Sequence, residues 1–217
     1  MSALGRDDAP MTDAPDPRPL YARAVALAGA TIRGVRPDQV HAPTPCTQMD
    51  VAALLDHLVL VLERTAAIGR GEPAMSVTPV ARTEGWADAW QAAAHANQAA
   101  WGDEALDRKV TLPWTSMSGA EVLQMYTSEV TVHTWDLATA TGQSPAWDDE
   151  VVATSLDAMR RDLPVEGRTA MIEEALKHLP PGAPATFPFG EAVPVADSAP
   201  LIDRLVGWTG RHPDAAA

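Results

Sequence analysis

The sequence predicts a mainly α-helical protein: a helical bundle followed by a small C-terminal extension of short helices and strands. Three observations carry this. Apolar residues recur at three- and four-residue spacing through four segments that end by residue 142. Most of these segments open on capping residues and close on glycine. Stretches without helical period, such as RPDQVHAPTPC (36–46) and PPGAPATFPFGEAVPV (180–195), separate or follow them.

Composition narrows the class. A chain of 217 residues, 46% hydrophobic, holds one medium domain or one domain with an appendage. A net charge of −13 argues against nucleic acid or an anionic membrane as the main partner. One cysteine, Cys46, excludes an internal disulfide framework. No apolar run reaches the ~18 residues of a membrane span, and MSALGRDDAP lacks the basic and apolar regions of a secretory leader. A cytoplasmic protein is expected.

Taken in order, residues 1–15 read as a disordered tail. Asp16 caps a first helix, with Pro17 at its first position, running to about Val35. An extended connector, 36–46, leads to a T-x-x-D start at Thr47 and Asp50 and a helix over Gln48–Ile68. Leu54, Leu58, Val61 and Leu62 form its core stripe, and His57 falls among them. A loop spans 70–81. Thr83 caps a third helix from Glu84 to about Trp101, with Trp86, Trp90, Ala93, Ala94, Asn97 and Trp101 on one face.

Residues 105–114 read as a short strand or an extended crossover, demoted to an edge by Pro113. Ser118 and Glu121 make a capping box, and the fourth helix runs from there to Thr141, stopped by Gly142. Its inner face is expected to hold Val122, Met125, Glu129, His133 and Leu137. A fifth helix over Asp149–Leu163, a short one over 169–179, a small strand at Glu191–Val195 and a last helix over Ala199–Thr209 follow. The expected organisation is a tail (1–15), a bundle (16–145), an extension packed on it (146–212) and a second tail (213–217).

Function is sought in SEVTVHTWDLATATG, residues 128–142. Glu129 and His133 stand four apart, which on a helix puts both side chains on one face, roughly 5–6 Å apart at Cβ. A carboxylate and an imidazole so placed can grip one metal ion if a third ligand comes from elsewhere, and His57 is that candidate. Glu-x-x-x-His pairs are common on solvated helix faces, and a core histidine is usually just hydrogen-bonded. Here both faces point inward, where an unpaired carboxylate is costly and a cation relieves it. Three protein ligands leave a position open, which suits catalysis or ligand binding better than a closed structural site.

Asp136, one turn from His133, can orient it, though an ordinary surface charge reads equally well. His95 is assigned to packing, His41, His178 and His212 to the surface, Cys46 to a buried inert thiol, and the tryptophans to the core. Tyr126 is a pocket candidate that no spacing forces.

TPCTQMDVAALLDHLV (44–59), EVTVHTWDLATATGQ (129–143) and PLIDRLVGWTGRHP (200–213) together resemble the actinobacterial metal-binding proteins of the DinB/YfiT-like superfamily. Within it they are similar to the subgroup related to the N-terminal domain of mycothiol-dependent maleylpyruvate isomerase. The resemblance covers residues 17–212 and implies a DinB-like four-helix bundle. It further implies a divalent metal, usually zinc, with nickel or another ion as the alternative, held by His57, Glu129 and His133.

Several members of the superfamily are similar to thiol S-transferases, which implies a small electrophile as substrate and a low-molecular-weight thiol such as mycothiol as cosubstrate. A metal-dependent hydrolase, with Asp136 or His95 shuttling protons, and a non-catalytic metal- or ligand-binding protein are the competing readings. A monomer or a homodimer fits either. The sequence departs from the subgroup where Gln48 and Met49 replace the usual run to tryptophan after Cys46. About 70 residues follow Gly142, with an organisation unlike the isomerase's second domain, so the isomerase reaction itself is not carried over.

Overall fold

The computed structural model describes residues 15–112, 115–177 and 189–213, with the side chains of Ile172 and Ala175 excepted. The expected tails (all but Pro15 and Pro213), Pro113, His178 and most of the proline-rich stretch at 180–195 lie outside the described residues. Eight helices and one small sheet are seen among those that are described: α1 (Arg18–Arg33), α2 (Val51–Gly69), α3 (Trp86–Ala100), α4 (Asp103–Asp107), α5 (Gly119–Thr141), α6 (Asp149–Asp162), α7 (Arg168–Lys177) and α8 (Leu201–Trp208), with strands β1 (Lys109–Leu112) and β2 (Thr115–Ser118).

The protein is mainly helical. The bundle is α1, α2, α3 and α5: α2 packs on α3 and α5, and α1 on α5. Its core runs through Tyr21, Leu54, Leu58, Trp90, Leu123 and Leu137, all buried. The tryptophan wedges expected on α3 are present, with Trp90 and Trp101 inside. A second apolar cluster joins Val132 and Trp135 of α5 to Leu156 and Met159 of α6, Leu205 and Val206 of α8, and Phe189. So α5 is apolar on two sides. Its middle, from Tyr126 to Ala138, is buried all round save a half-buried Glu129, where a single inner face was expected.

The ends of α5 follow from local chemistry. Ser118 Oγ accepts from Glu121 N–H, and the Glu121 carboxylate accepts from Ser118 N–H at 2.7 Å, a complete capping box. At the other end Gly142 turns left-handed, φ 67°, a conformation that only glycine adopts without a Cβ penalty.

Other termini correct the sequence expectation. Asp16 does accept the Arg18 N–H at 2.9 Å, but Pro17 occupies the capping position and α1 begins at Arg18. Asp50, not Thr47, caps α2, accepting from Ala53 N–H at 2.9 Å; the helix starts three residues late because Thr44 Oγ1 ties the connector down onto Cys46 and Met49 carbonyls. Gly85, left-handed at φ 77°, opens α3 in place of Thr83. The connector contains a 3-10 turn, Pro37–Gln39. The segment 105–114 splits into the end of α4 and β1, which pairs antiparallel with β2, Lys109 opposite Ser118. Residues 191–195 form no strand; they meet α8 through single bonds such as Val193 N–H to Gly207 C=O at 2.9 Å, and Pro194 removes a donor a ladder would need.

Candidate metal centre

His57 is delivered by the second turn of α2, a helix buried along most of its length. Glu129 and His133 come from the middle of α5. The packing of α2 on α5 brings all three together: His57 Nε2 lies 3.2 Å from Glu129 Oε1, and the two imidazole rings meet edge to face with centroids 4.8 Å apart. One potential ligand atom from each of the three residues lies within 4.8 Å of the others. Ligand atoms at about 2.0–2.2 Å from a tetrahedral zinc stand roughly 3.4 Å apart, so small side-chain adjustments would close the set.

His133 is fully buried, and its two ring nitrogens differ. Nδ1 lies 2.9 Å from Asp136 Oδ2, while Nε2 is buried with no hydrogen-bond partner. With the proton on Nδ1 and shared with Asp136, Nε2 presents a lone pair to the site. A carboxylate behind a histidine holds metal-ligating imidazoles in this tautomer. An orphaned buried acceptor costs on the order of 1–3 kcal/mol, which a bound cation would offset. The donor set, one carboxylate and two imidazoles with a position to spare, therefore fits a divalent ion.

Behind Asp136 stands Arg211. Its Nε donates to Oδ1 at 3.1 Å and its Nη2 to Oδ2 at 2.7 Å, a bidentate pair between two buried side chains. Asp136 is therefore no surface charge but the link between His133 and a buried guanidinium. Periodicity held no sign of Arg211, which lies in an irregular segment after α8. The available signal was electrostatic: a carboxylate in the interior of a long helix needs a cation, and the TGRHP ending supplies one.

The electrostatics follow from burial and these contacts. Burial raises the Glu129 carboxyl, but the His57 hydrogen bond and the charges of His57, His133 and Arg64 overcome it and hold it below the ordinary carboxylate value. Burial likewise raises Asp136, and His133 with Arg211 bring it below. Burial pushes the His133 imidazole down, against the opposing pull of Asp136. Both carboxylates are thus held ionised and His133 neutral, the protonation states that a metal requires.

Other candidates sort clearly. Cys46 is buried beside His133 and Asp136, one ligand atom of each within 4.8 Å of the rest, and burial pushes its thiol up, so it stays protonated. It lines a cavity of about 180 Å³ together with Gln48, Gly190, Thr209 and Arg211. Tyr126 is buried, close enough to Glu129 for that charge to raise its hydroxyl further. His41 and His212 are exposed, and so is His95, which does not pack in the core.

The family model for the mycothiol maleylpyruvate isomerase N-terminal domain matches residues 21–138, which contain all three candidate ligands and Asp136 but not Arg211. Two relatives from Mycobacterium tuberculosis, Uncharacterized protein MT0763 of strain CDC 1551 / Oshkosh and Uncharacterized protein Rv0738 of strain H37Rv, are each 33% identical over 199 residues, 90% of this chain and 98% of theirs. No solved structure matches. With more than half its length inside the family model, the chain belongs to the mycothiol maleylpyruvate isomerase N-terminal domain family.

Proposed function

We propose that the protein holds one divalent metal ion, zinc by the nature of its donors, between His57, Glu129 and His133, and acts as a thiol S-transferase or isomerase on a small electrophile. The thiol would be of the mycothiol kind, as the family's name suggests. The observation that carries the reading is the buried, unpartnered Nε2 of His133, aligned by Asp136 and set against the His57–Glu129 pair.

A divalent ion bound there supplies Lewis-acid chemistry, lowering the pKa of a thiol or water that joins it. The chain's own residues do the rest. Asp136 keeps the His133 proton on Nδ1, and Arg211 keeps Asp136 ionised. Glu129 brings the negative charge that draws a cation inward, and His57, a quarter exposed, marks the side on which a guest enters. Against the hydrolase reading stands Asp136, which is committed to His133 and Arg211.

Elemental analysis tests the core of this. Purified protein should carry close to one divalent ion per chain, and His57→Ala and His133→Ala should each lose most of it. Full occupancy in both variants would rule out the site. A calorimetric titration of the metal-loaded protein with mycothiol then separates thiol chemistry, which predicts binding, from a non-catalytic metal protein.

A further inference from the structure

Cys46 has no role in the chemistry above, yet it is not isolated. Its Sγ, a ring nitrogen of His133 and an oxygen of Asp136 lie within 4.8 Å of one another, and all three residues are buried. His133 thus belongs to two sets of ligand atoms, one with His57 and Glu129, the other with Cys46 and Asp136. Its nitrogen on the Asp136 side is Nδ1, 2.9 Å from Oδ2. The thiol can also be reached. It lines the cavity between the connector and the segment after α8, where Thr47 and Gln48 at the rim are exposed.

Charge decides which ion such a set takes. Arg211 Nη2 donates to Asp136 Oδ2 at 2.7 Å, so guanidinium and carboxylate already balance. A divalent ion that displaced the thiol proton would add one positive charge beside that buried guanidinium, which is strongly destabilising. A monovalent ion exchanges one for one with the proton and leaves the net charge unchanged. Thiolate and imidazole together are donors that suit soft ions, copper(I) among them.

We propose that Cys46 and His133 Nδ1 hold a soft monovalent cation of the copper(I) class beside Asp136, and that its binding excludes a divalent ion from the His57–Glu129–His133 set. The first half stands on its own; the second rests on the metal reading above. Cys46–SH and Cu⁺ give Cys46–S–Cu and one proton, which leaves to solvent, with no change in oxidation state. The bond at Nδ1 moves the ring proton to Nε2, where it takes the lone pair that a divalent ion needs. One neutral imidazole therefore serves one position at a time.

Copper(I) is offered anaerobically to metal-free protein as its bicinchoninate complex, and loss of the chelate colour reads the ion taken up. Wild-type protein should withdraw one ion per chain. Cys46→Ser and Cys46→Ala should withdraw almost none, whereas His57→Ala should match wild type, because its change lies in the other set. In zinc-loaded wild type, copper(I) should release zinc mole for mole to a zinc-sensitive dye, and Cys46→Ser should keep its zinc. The proposal is overturned if wild type takes up no copper(I), if both Cys46 variants take it up undiminished, if His57→Ala loses the uptake, or if zinc stays bound alongside copper. Wild-type protein that holds no zinc is a separate result: it removes the metal reading above, and uptake by metal-free protein then decides the Cys46 position alone.

Discussion

Asp136 decides more than any other single residue. It is fully buried; Oδ2 meets both His133 Nδ1 and Arg211 Nη2, and Oδ1 accepts from Arg211 Nε. Removing the guanidinium leaves a buried charge without compensation, so Arg211→Ala should cost about 3–5 kcal/mol in chemical denaturation. Asp136→Asn keeps the shape and removes the charge. It no longer favours the Nδ1–H tautomer of His133, and metal affinity should fall about 10–100-fold in a competition titration with a chromophoric chelator. The same groups set the acid behaviour of the metal-free protein. The folded pKa of His133 is below its ordinary 6.5, so the unfolded chain takes that proton first and stability begins to fall as pH drops below about 6.5. Glu129 and Asp136 are depressed as well; their contribution is full above the ordinary carboxylate range and is lost as pH falls through their folded values. Denaturation midpoints between pH 8 and pH 3 should therefore decline in two stages, and His133→Gln should flatten the upper one. A midpoint that rises on acidification contradicts this account.

At the scale of elements, what the sequence discloses depends on whether a signal is local. The capping box at Ser118 and Glu121 and the glycine stop at 142 are made by neighbours in the chain, and both ends of α5 fall where those residues put them. The placement of His57 beside the core stripe Leu54, Leu58, Val61 is legible for the same reason, though a quarter of its side chain stays exposed where a fully inward one was expected. The start of α2 is not legible, because Thr44 is spent on the Cys46 and Met49 carbonyls and only the folded connector shows it. Nor is β2, which is held by its pairing with β1 rather than marked by any alternation of its own. Arg211 is the extreme case: its role exists only once α5 and the segment after α8 are side by side. A test of the local half follows. Ser118→Ala removes one acceptor for the first turn of α5 and should cost about 1 kcal/mol in thermal or urea unfolding. Any metal content should not change, because the candidate ligands Glu129 and His133 lie three to four turns further on.

Across the whole molecule, α5 joins two cores that cannot be cut apart. Its Tyr126 and Leu137 belong to the bundle, while Val132 and Trp135 face α6 and α8. The family match ends at residue 138, yet the buried cation that completes the site comes from residue 211. The extension therefore bears on the proposed metal position through α5, by covering its outer side and by neutralising Asp136. Loss of residues 199–217 would uncover Val132 and Trp135 and remove Leu205 and Val206, each of which contributes about 1.5–3 kcal/mol by burial. It would also strand Asp136 without its guanidinium. The sum of those losses is comparable with the whole stability of a domain this size. A chain truncated after residue 198 should thus lose cooperative unfolding and bind a hydrophobic dye, even though every candidate metal ligand is retained. If the truncated chain instead unfolds cooperatively and keeps its metal, the bundle is self-sufficient, and the Arg211–Asp136 pair contributes to neither fold nor site.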